Sequence, residues 1–425
     1  MRIIVLGTNY APEKTAVAPF TTGLCEHLAG GGHDVRVITT FPYYPEWRVF
    51  EGYRGRIYQG ECINKVSLRR VWHFVPRRAS NVLQRLAHDF SFTLTAFLAG
   101  LFTGGCDVIY CICPPPTLAL AAYALAKIRG KPYVIKLTDL ASDAALATGI
   151  LTSGAAVRIA RAIEGFIYRK ADKVVCLCQP FIEKLTERGI KREKLRLIPD
   201  WADSQRVYPI AEPTAFRTAI GLSKDNFLVM HTGNMGKKQD LMNVVCAAEL
   251  SQDMHDVVWL LVGDGEERSA IEKEVEWRKL KNIKLLPLQP VEALAEMYSA
   301  ADVLLLNQKA AIEDAVIPSK LLTYMAAGRM VLAAASERSE AARHIANAQC
   351  GLRISAEDPK ALVEAVCWAR QQPAQRKRLG ANGRIYAEAH FTKQRVLQEY
   401  GLLFNGYANG STGEPKVSEK AAVAR

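Results

Sequence analysis

The chain has 425 residues, 49% hydrophobic and 23% charged, which excludes a disordered or collagen-like polymer and is too long for one ordinary core, so two domains are expected. Its formal net charge of +12 is lopsided: 27 basic side chains face 17 acidic ones up to residue 205, and 28 face 26 beyond it. Ten cysteines without the signature of a secretory leader point to a reducing compartment, where thiols stay free.

In chain order, "RIIVLG" reads as a first buried strand, too brief for a leader's apolar core. A helical "FTTGLCEHLA" and the strand "DVRVITT" follow, with Gly30, Gly31 and Gly32 ending the helix between them. That position, after a helix and before a strand, is the wrong one for a dinucleotide loop. Residues 54 to 85 then hold Arg54, Arg56, Lys65, Arg69, Arg70, Arg77, Arg78 and Arg85 against the single acid Glu61. The uncharged "FSFTLTAFLAGLFTGG" (90 to 105) comes next. It is shorter than the ~20 residues a spanning helix needs, so it is a core helix or one lying on a membrane. Segment 54 to 104 therefore suits an anionic lipid surface, where each basic side chain contributes about 1 kcal/mol. No nucleic-acid reader motif accompanies the charge, so no nucleic acid is expected as partner, and a solvated basic face is the structural alternative.

"DVIYCIC", the helix "TLALAAYALAKIRG", "PYVIKLTD" and "KVVCLC" complete the first half. Apolar strands alternating with helices indicate a parallel sheet covered on both faces. Cys111 and Cys113, like Cys176 and Cys178, read as buried small residues, since a zinc site would need four ligands and no helpful histidine spacing is present. After Pro209 and Pro213 the pattern restarts with "FLVMHTGN", "VVWLLVGDGEE", "IKLLPL", "DVLLLN" and "VLAAA", each followed by a helical stretch. The expected organisation is an α/β protein with a Rossmann-like domain over 1–205, a second over 206–390, a helix over 391–406 returning toward the first, and a disordered tail over 407–425.

Open parallel sheets bind ligands outside the carboxyl ends of their strands, so the chemistry should gather there. Two loops on the second domain are basic at that end. "GNMGKK" supplies Gly236, Lys237 and Lys238, and "EDAVIPSKLLTYMAAG" starts a helix at Pro318, with Ser319 and Lys320 in its first turn. Proline in a first turn loses no hydrogen bond, and the free N–H groups of Ser319, Lys320 and Leu321 attract an anion. Together these groups fit a diphosphate, the alternative being a plain helix start with solvated lysines. "VGDGEER" follows a strand but lacks a third glycine, so it reads as a structural turn. His231, at the end of "FLVMH", is a core or loop residue that could face a ligand, and Asp139, ending "YVIKLTD", is a polar contact or a helix-terminal charge.

The order of "GxHxVxVIT", "GNMGKKQDL", "GDG", "LPLQP" and "DAVIPSKLLTYMAAG" resembles the nucleotide-sugar glycosyltransferases of family 4, and within them the exopolysaccharide branch typified by colanic-acid biosynthesis. The resemblance covers the chain to about residue 405 and implies the GT-B fold, two facing Rossmann-like domains with an interdomain cleft. It implies transfer of a sugar from a nucleoside diphosphate sugar to an acceptor hydroxyl, with retention of configuration and no obligatory metal or other cofactor. By the same resemblance Gly233, Asn234, Gly236, Lys237, Gln289, Asp314, Pro318, Ser319 and Thr323 bind the donor, Gln289 near the base. Lys238 and Lys320 stabilise the leaving diphosphate, and Asp139 contacts acceptor or sugar.

Two departures accompany the resemblance. Relatives often carry two glutamates eight positions apart, where this chain has Ala315 and Thr323, with Glu313 and Asp314 just upstream. Ala16 and Ala18 stand where relatives have glycines. The expected protein is a cytoplasmic enzyme, peripheral on the inner face of the membrane, acting on a polyprenyl-linked glycan. A sugar-nucleotide 2-epimerase of the same fold would need a set of acids and histidines that the sequence does not display. A scaffold with a decayed donor site is the non-enzymatic alternative, separated from the enzyme by donor binding.

Overall fold

The computed structural model describes residues 1–15, 17–78, 81–147, 153–311 and 319–408. It divides into two compact units, one comprising Met1–Ser142, Leu151–Pro199 and Gln394–Arg425, the other Asp143–Ile150 and Asp200–Lys393.

The first unit carries eight strands: β1 (Arg2–Leu6), β2 (Asp34–Thr40), β3 (Tyr58–Ile63), β4 (Val66–Val71), β5 (Val108–Cys113), β6 (Tyr133–Leu137), β7 (Lys173–Cys176) and β8 (Leu195–Leu197). Their order is β3-β4-β2-β1-β5-β6-β7-β8, parallel throughout except for β3, which pairs antiparallel with β4. Asn64 and Lys65 join that hairpin with φ of 48° and 69°, the left-handed pair that matches the twist of antiparallel strands. Every residue of β5 and β6 is buried, as two-sided coverage requires, and Cys111 and Cys113 on β5, Cys176 on β7 and Cys178 just after it are buried as well.

Helix Val82–Leu101 begins at Asn81, whose side chain accepts from the Gln84 N–H. It starts well before the apolar stretch that marked it in the sequence. Its buried residues, His88, Phe92, Ala96 and Gly100, recur every fourth position and make one narrow stripe. Leu83, Leu86, Phe90, Leu94 and Leu98 point the other way and are exposed. Among the described residues no helix is long and apolar enough to cross a membrane. The last helix, Lys393–Ala408, runs past the expected start of the tail at residue 407 because Phe404 is still buried at its end, and residues 409–425 lie outside the described residues.

The second unit has β9 (Phe227–Asn234), β10 (Val257–Asp264), β11 (Ile283–Leu286), β12 (Val303–Asn307), β13 (Met330–Ala334) and β14 (Gly351–Ile354), all parallel in the order β11-β10-β9-β12-β13-β14. The chain winds one way from β9 to β10 and β11, then returns to the other side of β9 for β12. The carboxyl ends of β9 and β12 thus flank the point where strand order reverses, where sheets of this kind leave a crevice. Helix Ser319–Ala326 follows β12 and buries Leu321, Leu322, Tyr324, Met325 and Ala326.

Candidate active site

β9 continues past His231, its expected end, and pairs with β10 through Gly233↔Gly263 and Asn234↔Asp264. The two glycines explain the extension. A Cβ on Gly263 would sit 1.8 Å from the Gly233 carbonyl oxygen, and one on Gly265 would sit 2.5 Å from that of Met235, so only glycine lets the turns after β9 and β10 touch. The "GDG" turn is therefore a packing device beside the site.

Gly233 has φ of +104°, and a Cβ there would face the Lys320 ammonium at 3.6 Å. The first turn of helix Ser319–Ala326 is thus laid across the end of β9. Lys320 Nζ lies 3.1 Å from His231 Nε2, and His231 Nδ1 lies 3.1 Å from the Leu305 carbonyl oxygen. A carbonyl only accepts, so Nδ1 carries the imidazole proton and Nε2 accepts from the lysine. His231 is 1% exposed, and burial, reinforced by the lysine, holds its pKa well below the ordinary histidine value, so the ring is neutral. Desolvation draws the Lys320 ammonium down to about 7.

The helix is held in place one turn further on. The Tyr324 hydroxyl accepts the Thr232 N–H at 2.9 Å and lies 3.2 Å from the Thr232 hydroxyl, which also meets the Tyr298 hydroxyl at 3.2 Å. Lys320 and Tyr324 share one helix face, so the buried tyrosine fixes where the lysine emerges.

The loop after β9 is tied to the end of β12. Asn307 Nδ2 donates to the carbonyls of Gln239 and Asp240 at 2.8 and 2.9 Å, its Oδ1 accepts from Asn243 at 2.9 Å, and the Lys309 N–H donates to the Lys238 carbonyl at 3.1 Å. The Gly236 N–H donates to Gln239 Oε1 at 3.2 Å and the Lys237 N–H reaches Glu266 Oε1 at 3.5 Å. Gln308, beside them, is buried with its amide oxygen unpartnered among the described residues.

The structure thus brings Gly233 and Lys320 together and puts Asn234 at the end of β9 and Gly236, Lys237 and Lys238 on the adjoining loop, with Lys237 exposed and Lys238 half-buried. Ser319 opens the helix and is exposed, and Thr323 is half-buried on it. Gln289 follows β11 and its Nε2 donates to the nearby Pro287 carbonyl at 2.9 Å. Asp314 and Pro318, with Glu313 and Ala315, lie outside the described residues, as does Ala16.

On the first unit, half-buried Asp139 follows β6 at the sheet's carboxyl end. Glu13, which the sequence did not single out, is buried on the loop after β1 and accepts from the backbone N–H groups of Tyr43, Tyr44 and Tyr10 at 2.9, 2.8 and 3.3 Å and from Asn9 Nδ2 at 3.1 Å. It staples the loop after β1 to the loop after β2. Burial raises its pKa even though these donors favour the anion.

Residues 15–201 match the glycosyl transferase 4-like domain family, and residues 214–386 match the glycosyl transferases group 1 family. WcaI of Escherichia coli K12, described as a colanic acid biosynthesis glycosyl transferase, is 31% identical over 410 residues, covering 94% of this chain and 98% of its own. Among solved structures, sucrose-phosphate synthase from Thermosynechococcus elongatus superposes with a TM-score of 0.76 at 19% identity, covering 96% of this chain and 100% of that one. HepE from Anabaena, solved with UDP-glucose, does so with a TM-score of 0.71 at 15% identity, covering 96% and 100%.

Proposed function

Because this chain belongs to the family 4-like glycosyltransferases of the GT-B fold, we propose that it takes a sugar from a nucleoside diphosphate sugar and joins it to a polyprenyl-linked glycan in exopolysaccharide assembly. The donor is the only small molecule the reaction requires, configuration is retained, and no metal is obligatory.

One observation carries the proposal: the Lys320 ammonium stands over Gly233 where strand order reverses in the second sheet. As the glycosidic bond breaks, negative charge grows on the diphosphate. Fixed donors aimed at that charge stabilise the transition state more than the ground state. Lys320, Lys238 and Lys237 supply cations, and the N–H groups opening helix Ser319–Ala326, starting with Ser319, supply dipoles. In this proposal Gly233, Asn234, Gly236 and the helix start at Pro318 line the diphosphate, Gln289 lies near the base, the Thr323 hydroxyl meets the ribose, Asp314 contacts the sugar, and Asp139 contacts acceptor or sugar. UDP and UDP-glucose complexes of HepE support a nucleotide-sugar donor. The name of WcaI supports polysaccharide assembly.

The enzyme works in the cytoplasm against the inner face of an anionic membrane. The exposed apolar row on helix Val82–Leu101 supports this, because a contiguous apolar face rimmed by cations is a membrane-surface pattern. Arg69 reaches the Phe102 carbonyl at 3.2 Å just past the helix end, and Arg85 lies on the helix itself, over the Trp47 ring at 5.5 Å.

A thermal-shift panel of UDP, GDP, ADP and dTDP tests the donor site. One of them should raise the melting temperature, by about 3 kcal/mol of added stability at a hundredfold excess over its Kd, with the shift lost in Lys320→Ala and reduced in Lys238→Ala. Absence of any shift, or shifts indifferent to both substitutions, would favour a scaffold.

A further inference from the structure

The first unit contains a cavity that the donor chemistry does not use. Its volume is about 190 Å³, and Phe41, Val49, Tyr53, Ile57, Trp72 and His73 form its walls. Phe41 stands just beyond the carboxyl end of β2, and Trp72 and His73 just beyond that of β4, so the cavity lies at the sheet's ligand end. Ligand sites for drug-sized molecules run to roughly 300–1,000 Å³, so this one is too small for an oligosaccharide and suits a ring or a segment of chain. Its lining argues against a sugar. Four aromatic or imidazole rings and two aliphatic side chains offer few hydrogen bonds, and the buried His73 is neutral, its pKa pushed down to about 3 chiefly by desolvation.

Two walls are also outer surface. Ile57 is 76% exposed and Trp72 is 45% exposed, so the cavity opens outward between them. Thr95 Oγ1, on helix Val82–Leu101, donates to the Trp72 carbonyl at 2.7 Å. The rim is therefore continuous with the helix that exposes Leu83, Phe90 and Leu94. Arg56 also lines the cavity, is exposed, and is held by Gln59 Oε1 at 2.7 Å. An apolar slot with a guanidinium at its edge fits a hydrocarbon chain that ends in a phosphate.

We propose that this cavity holds the phosphate-proximal part of an isoprenoid chain, with Ile57 and Trp72 gripping the chain and Arg56 meeting its phosphate. The inference rests on the polyprenyl-linked acceptor proposed above and gives that acceptor a place on the first unit.

The test uses the full chain with farnesyl phosphate, lysophosphatidylglycerol and inorganic phosphate as separate probes. Trp72 fluorescence is isolated as the difference between the parent and Trp72→Phe. Farnesyl phosphate should change it saturably, inorganic phosphate should not, and lysophosphatidylglycerol should act only more weakly. Val49→Phe, which fills the slot, should weaken farnesyl phosphate binding by about tenfold or more. Ile57→Asp, at an exposed wall that tolerates substitution, should do the same if Val49→Phe does not fold. A ligand-free melting temperature close to the parent's certifies the fold of either variant and keeps the donor question separate. Equal binding by parent and variants, preference for the acyl lipid, or a response to inorganic phosphate alone overturns the proposal, whether or not the donor site works.

Discussion

Lys320 is unusual because its ammonium meets an imidazole that accepts from it, at 3.1 Å. Desolvation lowers its pKa from 10.5 to about 7. The sign follows from which state binds more protons. Between about 7 and 10.5 the unfolded chain keeps this proton and the folded one has lost it, so the lysine's contribution makes stability rise with pH across that window; below it the folded protein bears the full cost of a desolvated cation. Lys320→Met should therefore raise the melting temperature of the ligand-free protein at about pH 6 and flatten its slope toward pH 10. An arriving diphosphate reverses the preference by stabilising the charged form, so nucleotide affinity in the parent should decline as pH climbs above about 7. Melting curves of parent and variant with the same pH slope would show that the ammonium is already well solvated.

Helix Ser319–Ala326 is short, so its position depends on packing more than on its own propensity. Tyr324, fully buried, accepts the backbone N–H of Thr232, and that bond joins the helix to β9. Tyr324→Phe leaves the N–H without its acceptor inside the core, which should cost about 1–3 kcal/mol in urea denaturation and weaken nucleotide binding by loosening Lys320 one turn away. Stability lost with nucleotide affinity intact would mean that the lysine is positioned otherwise. The periodicity that marks this helix was plain in the sequence, as were both sheets, because apolar strands alternating with helices admit few other architectures. The basic loops were legible for a similar reason: glycine and lysine directly after a strand sit at the sheet's ligand end whatever the details. What could not be read was contact across distance. His231 and Lys320 are 89 residues apart, and a histidine closing an apolar strand gives no sign of its partner. Tyr324 hid among the core positions of its helix, and Glu13 gathers donors from a loop 30 residues on. A histidine within "FLVMHTGN" was the one available signal, and it indicated a core or loop residue that could face a ligand, without naming its partner. Likewise the uncharged run at 90 to 105 showed an apolar helix without showing that only one stripe of it would be covered.

At the scale of the whole chain, the first unit is completed by its far end. Tyr110 lies on β5, next to β1 in the middle of the eight-stranded sheet, and its ring meets those of Tyr400 and Phe404 at 6.3 and 5.4 Å. Both partners are 0% exposed and both belong to helix Lys393–Ala408. Lys136, on the adjacent β6, is buried with its ammonium 5.9 Å from the Tyr400 ring and 5.6 Å from that of Phe20. Removing that helix would uncover aromatic surface and take from Lys136 a ring face that meets its charge. Chain synthesis therefore finishes the second unit's sheet before the first unit's core can close. Phe404→Ala should cost about 3–5 kcal/mol, as large-to-small changes at fully buried aromatics do. A chain ending at Lys393 should fare worse, giving aggregated or protease-sensitive protein, because it loses Tyr400 as well. Urea denaturation of the point variant and limited proteolysis of the truncated chain measure the two effects. A Phe404→Ala midpoint equal to the parent's, or a truncated chain as resistant as the full one, would make the helix an appendage and the first unit self-sufficient.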